Sequence, residues 1–307
     1  ASRQVELLHQ IAQLHEDAAG DLDSAFTTLA RALAADPASD RTQTQIDRVA
    51  RTTGRFQDLA DVYERQALAT TDVVLSSTLL TMSAEVHERD IGSVDTAIAH
   101  YRRVLTQDPT NLNAIESLER LFRQTERYAE LSLTLQRKAE ILDEPDDKKH
   151  ALFQAAAIEE DVLSKPEAAI AVYNVLLELD PDDLRALDAL VTRYLELSRW
   201  ADLLAVYARK VDIIVDPDEK KRILYQVGAV YERELGDVPR AIDTYQRILE
   251  LDPDDLQALS RLDVLYEHAQ NWTELLSVLT RESEMCADGA EAIGFQYRIA
   301  ELYEKRL

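Results

Sequence analysis

Apolar positions recur along this chain at helical spacing, and the same columns return every 72 residues. Ala25, Ala97, Ala169 and Ala241 are identical at that step. Phe26, Ile98, Ile170 and Ile242 follow, then Leu29, Tyr101, Tyr173 and Tyr245, then Leu33, Leu105, Leu177 and Leu249. Positions i, i+1, i+4 and i+8 share one face of an α-helix, so these columns predict a helix with one buried stripe. It stops at Asp36-Pro37, Asp108-Pro109, Asp180-Pro181 and Asp252-Pro253, because a residue before proline resists the helical region.

A second helix type begins after Ser39, Asn111, Asp183 and Asp255, side chains that cap a helix by accepting from its free N–H groups. It carries Ile46, Leu118, Leu190 and Leu262. Past a break near Gly54 comes a third type. It opens on the aromatic column Phe56, Tyr128, Trp200 and Trp272 and continues with Leu59, Leu131, Leu203 and Leu275. Periodic aromatics of this kind predict core rather than a ligand platform. The fourth type carries Leu8, Leu80, Leu152 and Leu224, with small residues at Ala12, Ala84, Ala156, Gly228 and Ala300 that permit close helix approach. Gly20, Gly92 and Gly236 mark its C-terminal turn, and Ser164 stands where the third glycine is expected.

The expected fold is therefore all-α, with seventeen helices and no strand pattern. Each repeat holds two antiparallel hairpins of about 36 residues. The units run roughly 1–72, 73–144, 145–216 and 217–288, followed by a terminal helix over 289–307. A lone hairpin cannot bury its apolar stripe, so stability has to accrue by stacking. The chain begins in register and ends on an unpaired helix. It is expected to be a segment of a longer array or of a larger protein, with end-to-end self-association.

The run Leu224-x-x-Val227-Gly228-x-x-Tyr231, then Ala241, Tyr245 and Pro253, resembles a tetratricopeptide repeat of the kind found in bacterial arrays. It holds one residue more than the family pattern between Tyr231 and Ala241. The second hairpin, with Leu259, Leu262, Tyr266, Trp272 and Leu275, departs further: Asp263 stands where the family has a small glycine. The resemblance extends over essentially the whole chain. It implies a single solenoid over 1–307, a right-handed α-α superhelix serving as a non-enzymatic protein-binding scaffold. An alternative is a regulatory or assembly module of a larger signalling enzyme. The family's lysine and asparagine clamp for a C-terminal carboxylate is not matched here.

Charge narrows the partner. Asp and Glu number 58 against 34 Lys and Arg, a net charge of −24. Nucleic acid is disfavoured, since binding it normally needs a basic surface. No stretch is apolar enough for a membrane span, and the N-terminus lacks a signal-peptide layout, so a cytoplasmic location is expected. The partner is expected to be a protein or peptide, with basic character. A lone Cys286 excludes an internal disulfide. The six histidines lack metal-ligand spacing, and the seven glycines are scattered singly. No cofactor, metal or catalytic residue is expected. The acids at Asp180–Asp183 and Asp252–Asp255 read as helix caps rather than calcium loops.

One polar column stands out: Glu16, Glu88, Glu160, Glu232 and Glu304. The resemblance implies that the first helix of each hairpin lines a concave groove, which would place these glutamates along it. Between them fall Arg51, Arg123, Leu195 and Glu267. The candidate partner-binding residues are therefore Arg51 and Arg123 toward the N-terminus, and Glu160, Glu232, Glu267 and Glu304 toward the C-terminus. The first half alternates in sign and can pair with itself. The second half has four acids and no base and is expected to take a basic segment. Two arginine clusters, Arg41, Arg48 and Arg51, and Arg120, Arg123 and Arg127, are expected to form salt bridges between helices.

Overall fold

A computed structural model describes residues 2–286 and 289–307. Its described residues form seventeen α-helices. They are α1 (Ser2–Asp17), α2 (Leu22–Ala35), α3 (Asp40–Thr53), α4 (Phe56–Ala69), α5 (Val73–Val86), α6 (Val94–Gln107), α7 (Leu112–Gln124), α8 (Tyr128–Ile141) and α9 (Pro145–Ala157). Then come α10 (Pro166–Leu179), α11 (Leu184–Glu196), α12 (Trp200–Ile213), α13 (Pro217–Ala229), α14 (Val238–Leu251), α15 (Leu256–Ala269), α16 (Trp272–Met285) and α17 (Gly289–Lys305). Two compact units emerge, Ala1–Val172 and Tyr173–Leu307. Within the first, each helix from α1 to α9 packs on its sequence neighbour; within the second, the same holds from α11 to α17. No helix among the described residues is long and apolar enough to cross a membrane.

Local chemistry sets the boundaries. Ser39, Asn111, Asp183 and Asp255 accept from the N–H of Thr42, Ala114, Ala186 and Ala258 at 3.4, 3.0, 3.0 and 3.0 Å. Each such cap contributes about 1 kcal/mol. Gly20, Gly92 and Gly236 are left-handed, and Ser164 takes the same conformation at φ 53°. A second left-handed column, at Gly54, Glu126, Ser198 and Gln270, ends the helices before the aromatic column. Only its first member is glycine, so most of it is hidden in the sequence.

The alanine column Ala25, Ala97, Ala169 and Ala241 is fully buried. So are, within a few per cent, Leu8, Leu80, Leu152 and Leu224, and Leu59, Leu131, Leu203 and Leu275. Each buried leucine contributes about 1.5–3 kcal/mol. Two expectations need correcting. Leu249 is only half-buried. The aromatic column Phe56, Tyr128, Trp200 and Trp272 is also half-buried, because each ring sits on the first residue of its helix, at the rim of the hairpin. Arg306 covers the Trp272 ring at 4.8 Å. Gly228 marks a close helix approach: a Cβ there would lie 2.7 Å from Tyr245 Cζ.

Three first-of-hairpin helices do not end as plain α-helices. A π-helical segment continues α5 over His87–Ile91, α9 over Ile158–Val162 and α13 over Val230–Leu235. A π turn accommodates one extra residue. This is where the residue in excess of the family pattern, between Tyr231 and Ala241, is absorbed. Ser93 N–H reaches back to His87 O at 2.8 Å and Asp237 N–H to Tyr231 O at 2.8 Å, closing the wide turn.

Candidate functional site

Three glutamates of the sequence column lie in these π segments: Glu88, Glu160 and Glu232. Glu16 occupies the last turn of α1 and Glu304 that of α17.

In the first unit the arginines of α3 and α7 form a ladder. Arg48 Nη2 donates to Glu16 Oε2 at 2.5 Å. Arg120 grips Glu88 with both nitrogens of its fork, one of them at 2.8 Å. Arg51 and Arg123 do not pair with the glutamate column. Arg51 donates to Asp47 and Asp90 at 2.8 Å each. Arg123 donates to Glu119 at 3.1 Å and to the Gln154 side-chain oxygen at 3.4 Å. Residues three apart share a helix face but are offset by almost a turn along it. Arg48 and Arg120 therefore reach the preceding hairpin, while Arg51 and Arg123 reach the following one. Arg127 adds a bond to Asp95. Inter-helix salt bridges are thus present in both arginine clusters, through Arg48 and Arg51 in one and Arg120 and Arg127 in the other.

Lys138 of α8 closes one side of this surface, donating to Glu119 at 3.0 Å and lying 3.4 Å from Glu116. Burial opposes its charge, but the Glu119 hydrogen bond and the two carboxylates outweigh that and raise its pKa. An open pocket of about 490 Å³ results, lined by Glu116, Glu119, Arg120, Arg123, Gln124 and Lys138. A second pocket, about 560 Å³, lies between α5 and the start of α7. Deeper in this unit, His87 and His100 meet edge to face with ring centroids 5.3 Å apart. Burial holds both below the ordinary histidine range.

The second unit supplies bases from positions outside the columns read for the groove. Glu232 accepts from the Tyr245 hydroxyl at 3.0 Å and lies 3.6 Å from Arg261. Burial, reinforced by the Glu232 charge, pushes the Tyr245 hydroxyl up to about 12. Glu267 accepts from Arg298 Nη2 at 3.1 Å and is mostly exposed. Glu304 is exposed, and Glu160 is half-buried. Arg298 of α17 also forks onto Asp263 of α15 at 2.5 and 2.7 Å. Beside this pair Glu282 of α16 is buried, with Oε2 unbonded.

The repeat explains that cluster. In the 72-residue register, Asp263 and Glu282 take the places of Glu119 and Lys138. The lysine of the earlier pair has become a carboxyl, and Arg298, in the column of Met82, Gln154 and Gln226, supplies the cation instead. Comparing charged residues column by column would have revealed the exchange. No group of three or more metal-ligating side chains gathers among the described residues.

A sequence model described as tetratricopeptide repeat matches residues 222–255, which run from α13 through its π segment and α14 to the cap of α15. Photosystem I assembly protein Ycf3 of Acaryochloris marina (strain MBIC 11017) is 28% identical over 107 residues, 33% of this chain. The chain spans 64% of that relative's length. Among solved structures, a tetratricopeptide repeat protein from Parabacteroides merdae ATCC 43184 is 17% identical, covering 86% of this chain and 99% of that one, with a TM-score of 0.35. The complex of the yeast Sti1 TPR2AB domain with pHSP90 is 14% identical over 99% of each chain, at a TM-score of 0.31. One repeat is matched directly, and helical hairpins with caps and left-handed turns at corresponding positions precede it: the chain is a helical repeat protein that carries a tetratricopeptide-type repeat over residues 222–255.

Proposed function

We infer that this chain is a non-enzymatic scaffold that holds a segment of a partner protein against the first helices of its hairpins, and that its acidic faces select a basic segment. The observation that carries this reading is the ladder on α3 and α7. Its exposed arginines are held by neighbouring hairpins, Arg51 by Asp90 and Arg123 by Gln154, and Arg120 and Arg123 line an open pocket. Side chains fixed before binding lose less entropy when a partner docks. The net charge of −24 favours encounter with a cationic partner. The relative named as an assembly protein is consistent with such a role.

In the second unit Glu232 is engaged by Tyr245 and Arg261; Glu267, though it accepts from Arg298, and Glu304 are the candidate acids that stay exposed to a partner. A partner captured with the purified chain and identified by mass spectrometry is expected to bind Glu267→Lys/Glu304→Lys about three- to tenfold more weakly, since exposed charge pairs contribute little each. Titration calorimetry of that partner at two salt concentrations reads the change. Equal affinity for both proteins would remove the acidic face from the reading.

A further inference from the structure

The longest stretch without Asp, Glu, Lys or Arg is 73–84, Val-Val-Leu-Ser-Ser-Thr-Leu-Leu-Thr-Met-Ser-Ala, in a chain that is 30% charged. It forms nearly all of α5. The corresponding helices begin differently: α9 with Asp146-Asp147-Lys148-Lys149, α13 with Asp218-Glu219-Lys220-Lys221. At those positions α5 has Val74-Leu75-Ser76-Ser77. Acids in a first turn stabilise a helix through its dipole, and α5 has none there. It instead exposes Val73 and Val74, the latter 76% accessible. That choice is unfavourable for an isolated helix in water.

These residues wall the pocket of about 560 Å³ between α5 and the start of α7. Thr78, Thr81 and Met82 continue the wall, and Asn113 lies opposite. The floor is rigid: Gln107 donates to Ser76 Oγ at 3.1 Å and accepts from Ser77 Oγ at 3.3 Å. The only charged lining residues are acids, Glu85 and Asp108. Hydrogen bonds from the Thr110 hydroxyl and N–H keep Asp108 below the usual carboxylate range. Glu85 is half-exposed, with Arg89 at 3.8 Å.

We propose that the α5–α7 pocket receives an aliphatic side chain of a partner peptide whose neighbouring residues are lysine or arginine. The uncharged wall accommodates the apolar group, and Glu85 and Asp108 meet the cations. A second copy of this chain is a poor occupant, because two molecules of charge −24 repel. The proposal rests on the scaffold reading and adds the chemistry of one subsite to it.

The chain has two methionines, Met82 in the pocket and Met285 at the end of α16, so a protein labelled at the methionine methyls gives its own internal control. The probe is the capped peptide Gly-Ser-Arg-Leu-Arg-Ser-Gly, titrated into the millimolar range. Met82 is expected to shift saturably while Met285 stays still. Replacing the peptide's leucine with serine, or its arginines with glutamate, is expected to weaken binding roughly fivefold or more. Val74→Glu is expected to abolish the shift; it restores a first-turn acid, so the helix stays folded. An unmoved Met82 overturns the proposal, as does equal binding of the glutamate peptide. A Met82 shift that follows protein concentration without peptide would assign the pocket to a second copy and also overturn it. If a captured partner binds Val74→Glu and the wild type equally, the scaffold reading stands and the pocket proposal falls.

Discussion

Arg298→Ala is expected to destabilise the α15–α17 end of the second unit by about 2–3 kcal/mol. Arg298 is the cation between two buried carboxyls. It forks onto Asp263, whose side chain is only 10% exposed, and lies beside Glu282. Removing one partner of a buried ion pair strands the other charge, which costs about 3–5 kcal/mol. Arg298 is itself 37% exposed, so solvent screens part of that. Arg298→Lys retains the charge but loses the fork and should fall between. Repeat proteins unfold in parts, so a local probe is needed. With Trp200→Phe, Trp272 becomes the sole tryptophan and reports on α16. An unchanged urea midpoint at Trp272 in Arg298→Ala would mean that the cluster contributes nothing.

The second large effect depends on pH. Burial, then the Asp263 charge, raise the Glu282 carboxyl to about 7, and the Arg298 charge only partly offsets them. The folded value lies above the ordinary glutamate value of 4.5, so the stability gained from the neutral carboxyl is full below 4.5 and is lost as pH rises through 7. Between pH 5.5 and 8.5 the wild type is expected to lose about 2 kcal/mol relative to Glu282→Gln, which stays neutral throughout. Urea denaturation followed at Trp272 across that range measures it. Parallel curves for the two proteins would show that Glu282 ionises freely in the fold.

The hairpin plan is legible in the sequence because it rests on local chemistry. Ser39, Asn111, Asp183 and Asp255 cap helices by their own side chains, and a proline ends the helix before it whatever surrounds it. The columns at Ala25 and Leu59 are buried because helical period alone puts them on one face. Features that depend on the third dimension are less legible. The extra residue after Tyr231 shows in the sequence, but not that it becomes a π turn carrying Glu232 toward Tyr245. Trp200 and Trp272 fit the period of a core and yet sit at helix starts, where the hairpin rim leaves them half open.

The candidate site divides in the same way. That Arg48 and Arg120 bridge helices follows from their spacing and from the excess of acid. That Arg51 meets Asp90 and not Glu88 depends on where the ends of two side chains fall. Arg261 and Arg298, which meet Glu232 and Glu267, lie outside the columns read for the groove. The exchange of Lys138 for Glu282 was present in the sequence as a change of sign in one column. It acquires meaning only once Arg298 is seen to arrive from α17.

The central claim is that partners dock on the first helices of the hairpins. Site-specific photocrosslinking tests it most directly, with a crosslinking residue placed in turn at Thr78 of α5, Arg123 of α7 and Arg103 of α6, all exposed. Crosslinks to a partner polypeptide are expected from Thr78 and Arg123 and not from Arg103, on a second helix. Crosslinks from Arg103 alone, or equally from all three, would contradict the account.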